Sequence, residues 1–169
     1  MQRIPSHRIV IGLVAVSLGL GACSSSDPKT LTDAGSKALG SGDAKEAVEL
    51  FDDALAHMNT QGGDFLRASM GRFQALARLD PTRTKNEFLA FQAAHTDQVK
   101  DADFKLVVDE LLKRGSLTAA TDIVAAAKQA YPESTVVVQL INALGDAARK
   151  ANDPASVGKL KGLGYTGDG

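Results

Sequence analysis

Helix starts recur along this chain at an almost constant interval, and that interval restricts the architectures open to it. Asp43, Asp80, Ser116 and Asp153 each have the chemistry of an N-cap and stand 37, 36 and 37 residues apart. Such a side chain accepts a hydrogen bond from a first-turn amide that has no partner inside the helix. Proline follows Asp80 and Asp153; at the first helical position its missing N–H is harmless. Gly42, Gly115 and Asn152 stand just before three of the caps, and each tolerates the left-handed backbone that ends a preceding helix. Leu79 holds that place in the second unit and breaks the pattern. A second set of starts, Asp27, Asp64, Asp101 and Ser134, interleaves with the first at spacings of 37, 37 and 33. Self-similarity at such a period is the mark of a solenoid, here of about four helix–turn–helix units.

The apolar stripes agree. Within residues 42–56, Asp43 and Glu46 form a capping-box pair, and Ala47, Leu50, Phe51 and Ala54 follow at i, i+3, i+4 and i+7. Phe104, Val107, Val108, Leu111 and Leu112 line one face further on; Leu117, Ala120, Ile123, Val124, Ala127 and Tyr131 line the next. Val137, Leu140, Ile141, Leu144 and Ala148 lead to Val157 and Leu160. No alternating strand pattern of useful length occurs, so the fold is expected to be all-α. There is no Trp, and all six Phe lie between residues 51 and 104. An elongated helical array needs less aromatic bulk than a single round core does.

These residues resemble the tetratricopeptide repeat family, whose units set small residues in both helices around a bulky one, with a proline after the second helix. Gly35, Ala47, Phe51 and Ala54 match in the first unit, where Asn59 replaces the proline; Ala120, Ala127 and Pro132 match in the third. Val108 and Val124 there replace the usual glycine and aromatic. In the second unit Phe88 holds the bulky place, whereas Arg72, Thr84 and Phe91 depart from the pattern; Gly145 and Val157 fit the fourth loosely. The resemblance covers most of 27–163 and implies a right-handed solenoid, a frame that other helical-hairpin repeats share. It also implies a groove, lined by the first helix of each unit, that receives an extended peptide or a helix of a protein partner.

The N-terminus has a different character. Arg3 and Arg8 precede an apolar run over 9–20, too short for a comfortable membrane span but suited to a secretory signal. The run ends Leu20-Gly21-Ala22-Cys23, which resembles the bacterial lipobox. That resemblance, confined to 1–23, implies removal of residues 1–22, lipidation of Cys23 and attachment to a membrane by the lipid. Cys23 is the chain's one cysteine, so no intramolecular disulfide competes for it. Ser24, Ser25 and Ser26 read as a polar tether, completing 23–26; a repeat domain at 27–163 and a flexible tail at 164–169 follow. By resemblance to lipoproteins of double-membrane bacteria, Ser24 rather than Asp after the cysteine implies the outer membrane, facing the periplasm.

Little in the chain suggests catalysis, and no enzyme activity, cofactor or metal is expected. Beyond the leader the histidines are His57 and His95, each near a helix end, where the dipole favours a structural role. Asp52-Asp53, Asp101/Asp103 and Asp109-Glu110 are close in sequence, but adjacent residues on a helix diverge. Nor does charge point to nucleic acid: lysines and arginines number 19 against 20 acids. Residues 27–64 hold eight acids and three bases, whereas 65–114 hold nine bases and seven acids. The expected partner-binding residues are Leu66, Met70, Phe73, Lys105, Asp109, Leu112 and Lys113. A protein or peptide partner in envelope assembly or secretion is one expectation. A small-molecule or envelope-polymer binder is the other, with Arg67 and Arg72 as an anion patch beside Phe73.

Overall fold

The computed structural model describes residues 27–167. The leader, the tether and the lipidation expected at Cys23 lie outside the described residues. Among those residues there are eight α-helices and no strand: α1 (Pro28–Ser41), α2 (Ala44–Ala56), α3 (Gly63–Leu79), α4 (Pro81–Ala94), α5 (Asp101–Lys113), α6 (Leu117–Ala130), α7 (Thr135–Lys150) and α8 (Pro154–Gly162). The even helices begin one residue after the N-caps at 43, 80, 116 and 153. Asp43, Asp80 and Asp153 accept from the amides of Glu46, Arg83 and Ser156 at 3.0, 2.9 and 3.1 Å. Ser116 holds the position without a side-chain hydrogen bond.

Turn residues explain the short connections. Gly42, Gly115 and Asn152 have φ of +95°, +68° and +53°, so the chain reverses within two or three residues. In the second unit α3 runs on to Leu79, and Asp80 alone makes the corner with an extended backbone. It ends one helix and caps the next. The odd helices start less uniformly. Asp27 and Ser134 are N-caps as read, but Gly62 and Lys100 take that place before α3 and α5. Asp64 sits in the first turn of α3, while Asp103 reaches back to the Lys100 amide at 2.8 Å.

Packing sorts the helices into two rows. Each odd helix touches the next odd one, α1 with α3, α3 with α5 and α5 with α7; α4, α6 and α8 adjoin in the same way in the other row. Between the rows lies a continuous core of residues with little or no exposure, from Phe51 through Phe88, Phe104 and Ile123 to Leu144 and Leu160. Edge-on aromatic contacts run through its middle: Phe91 to Phe73 at 5.4 Å, Phe73 to Phe88 at 5.4 Å, Phe88 to Phe104 at 5.1 Å and Phe104 to Tyr131 at 5.9 Å.

Two glycines let the helices close on Phe51. A Cβ on Gly35 would fall 3.0 Å from the Phe51 ring, and one on Gly71 only 2.4 Å. Gly71, one residue before Arg72, is thus the small residue that α3 sets against Phe51. At the far end Tyr165 is buried over Gly145, so the segment expected as a tail begins with a packed side chain.

Candidate partner-binding face

The row of odd helices carries an open depression of about 360 Å³. Its walls are the second half of α1 (Ser36, Leu39), one face of α3 (Leu66, Arg67, Met70, Gly71, Gln74) and the start of α5 (Asp103, Leu106). Leu39, Leu66, Met70 and Leu106 give it its apolar lining. Leu106 on the rim is 42 % exposed, a large side chain that the core does not take up. It stands off the Phe104–Val107–Val108–Leu111 stripe, and that departure was the available sequence signal for it.

The expected residues divide. Leu66, Met70 and Arg67 meet in this depression. Phe73 does not: it is 3 % exposed and packs edge-on against Phe88 and Phe91. Met70 itself is largely buried and offers the site an edge rather than a surface. Lys105 and Asp109 pair with each other along α5 at 2.6 Å, and Lys113 turns to Glu110 at 3.3 Å. Leu112 is half-buried against the core. These four do not join the walls of the depression.

The two arginines expected as an anion patch, Arg67 and Arg72, are both ion-paired within the chain. Arg72 bonds both Asp52 of α2 and Glu87 of α4, the latter at 2.6 Å, while Arg83 holds the other Glu87 oxygen at 2.6 Å. Burial alone would lower the Arg72 pKa, but its bonds to Glu87 and Asp52 outweigh that and raise it. Burial likewise pushes Glu87 up, and the Arg83 and Arg72 bonds bring it below the usual carboxylate range. This guanidinium is spent on joining helices. Arg67 is more exposed and meets Asp33 of α1 at 2.9 Å.

Arg78 behaves similarly at the end of α3. It donates to the Leu39 carbonyl near the end of α1 at 2.8 Å and to Glu110 of α5 at 2.8 Å. Burial raises the Glu110 carboxyl, but Arg78, aided by Lys113, holds it below its ordinary value. His57 and His95 are the C-caps of α2 and α4. Among the described residues, no group of three or more His, Cys, Asp or Glu converges as a metal site would. Nor is any described helix long and apolar enough to cross a membrane.

Compared with protein-family models, with curated proteins and with solved structures, the chain shows no match.

Proposed function

We propose that the chain is a lipid-anchored adaptor of tetratricopeptide-like architecture, which holds a protein partner in the cell envelope against its row of odd helices. The observation that carries this reading is the apolar depression between α1, α3 and α5, with Leu106 exposed on its rim. It is open rather than enclosed, shallow enough for a peptide or a helix, and its charged neighbours largely satisfy one another. Affinity would therefore come from buried apolar contact, with Arg67 and Asp103 setting orientation. The 37-residue recurrence of helix starts and the pairing of odd helices with odd helices support a right-handed solenoid of about four hairpins. The lipobox-like Leu20–Cys23 stretch supports the anchor, and Ser24 the outer membrane.

Photo-crosslinking in intact envelopes tests the binding face. A crosslinking amino acid at Leu106 should give one discrete adduct, and the same amino acid at Lys161 on α8 should not. Leu66→Glu should remove the adduct while leaving the melting temperature within a few degrees. Equal labelling from both positions, or an adduct indifferent to Leu66→Glu, would overturn the assignment.

A further inference from the structure

Helix α3 begins at its cap, Gly62, without the help that a helix start often receives from its own first turn. In a capping box the third helical residue reaches back to the amide of the cap. Asp103 does so for α5, accepting from the Lys100 amide. In α3 that place belongs to Phe65, which has no polar group and lies instead against the His95 ring, with centroids 5.3 Å apart. The Gly62 amide is met from 36 residues away by Gln98, in the turn between α4 and α5, whose Oε1 accepts at 3.2 Å. Nε2 of the same side chain donates to the Thr60 carbonyl at 3.4 Å. One amide therefore ties the connection between α2 and α3 to the turn between α4 and α5. Gln98 Nε2 also stands 3.3 Å from His95 Nδ1.

The two backbone contacts fix which end of the Gln98 amide is which. Reversed, it would set donor against donor at Gly62 and acceptor against acceptor at Thr60. An amide nitrogen only donates, so His95 Nδ1 must accept, which requires the neutral ring with its proton on Nε2. We infer that His95 and Gln98 are a proton-operated latch on the start of α3, closed while the imidazole is neutral and released when Nδ1 takes up a proton. That proton puts two donors face to face, and the amide cannot turn to relieve them without giving up both Thr60 and Gly62. A hollow of about 350 Å³ alongside, lined in part by Gly62, Gly63, Leu66 and Asp97, has room for the released side chain. Gly63 and Leu66 also line the depression between α1, α3 and α5, so the latch sets one wall of it. That a partner uses this wall rests on the proposed function; the latch does not, and is read on the chain alone.

The His95 ring packs on Phe91 of α4 at 4.5 Å as well as on Phe65. Titratable or charged groups on the elements around it are Asp64 and Arg67 of α3, Glu87 of α4, Asp97 and Lys100 of the turn, Tyr131 after α6 and His57 after α2. Arg67 is paired with Asp33, and Glu87 with Arg72 and Arg83. The Lys100 ammonium donates to the Asp97 carbonyl, and the Tyr131 hydroxyl to that of Val99. Histidine is the side chain that ordinarily changes charge between about pH 5.5 and 7.5, which leaves His57 to be told apart from His95.

Amide hydrogen exchange followed by NMR tests this. The quantity is the protection factor of Leu66, whose N–H bonds the Gly62 carbonyl in the first turn of α3, divided by that of Leu144 in α7. In the unaltered chain the ratio should fall about five-fold from about pH 7.5 to about 5.5, as for the loss of one hydrogen bond of ordinary strength. His95→Phe, which keeps an aromatic ring but cannot titrate, should abolish the fall, and His57→Gln should leave it in place. Gln98→Glu should reverse its sign, because a carboxylate accepts from both the Gly62 amide and the protonated ring. In the unaltered chain at the higher pH, the ¹⁵N shifts of His95 should show the proton on Nε2. A proton on Nδ1 there overturns the inference, as does a ratio that does not change with pH. So does a fall that survives His95→Phe or vanishes with His57→Gln, or one that Gln98→Glu shares with the unaltered chain. Should His95→Phe not fold, the ring tautomer and Gln98→Glu decide alone.

Discussion

Phe51 and Glu110 show how much single side chains carry in a helical array with so few large residues. Phe51 is fully buried, and Phe51→Ala should cost about 3–5 kcal/mol in urea unfolding. Gly71→Ala attacks the same contact from the other side. Its new methyl would sit 2.4 Å from the ring, and such overpacking costs about 1–3 kcal/mol. Phe51→Leu placed on Gly71→Ala should recover part of that loss, a coupling that independent sites would not show. Glu110 adds a pH signature. Its folded-state pKa is depressed by Arg78 and Lys113 against the opposing effect of burial. The stability it contributes is therefore present above the ordinary glutamate value, about 4.3, and is lost as pH falls through the lower folded value. Glu110→Gln, which removes the carboxylate charge but leaves Arg78 its bond to the Leu39 carbonyl, should lower stability at neutral pH by about 1–3 kcal/mol. The variant's melting temperature should then fall less than the unaltered protein's on acidification. A parallel decline in both proteins would mean that Glu110 is not the group being titrated.

At the level of the helix, starting signals of similar appearance differ in strength. Asp43 accepts from the Glu46 amide, whereas Ser116 makes no such bond. Asp43→Ala should thus cost about 1 kcal/mol and Ser116→Ala less than about 0.5, read from denaturation midpoints. This contrast also shows where sequence is legible. Caps next to a left-handed residue were readable because two independent requirements coincide there, as at Gly42-Asp43 and Asn152-Asp153. Asp64 and Asp101 misled because an acid is as favourable inside the first turn of a helix as at its cap. The candidate site was legible only in part, for a geometric reason. A stripe identifies the buried face of a helix with one neighbour, but α3 has neighbours in both rows. On such a helix Leu66, Met70 and Phe73 look alike in sequence, although Phe73 is core and Leu66 is rim. Leu106 could have been found as the apolar residue off the stripe. Tyr165 could not, because its partner Gly145 is met only after α8 has turned back.

Across the molecule the period is visible in the charges as well as in the caps. Asp122 of α6 receives Lys85 of α4 at 3.4 Å and Lys159 of α8 at 3.1 Å, each 37 residues away along the chain. With Arg72 and Arg78 bonded across neighbouring helices, little unpaired charge among these groups is left to bind a membrane electrostatically. No described helix is long and apolar enough to cross a membrane, and the proposed attachment is the lipid on Cys23. One acyl chain holds a protein only marginally, whereas two or three, at about 0.8 kcal/mol per buried CH₂, hold it firmly. Cys23→Ala should therefore abolish labelling by a radioactive fatty acid and move the protein out of the detergent phase. Persistent partitioning of that variant would sink the anchor, because nothing else in the proposal retains the chain at a bilayer. Ser24→Asp separates anchoring from sorting. It should leave lipid labelling intact and shift the protein to the inner-membrane fraction on a density gradient. Unchanged fractionation would spare the lipid anchor and remove the outer-membrane assignment, leaving the depression between α1 and α5 to be matched with a partner elsewhere in the envelope.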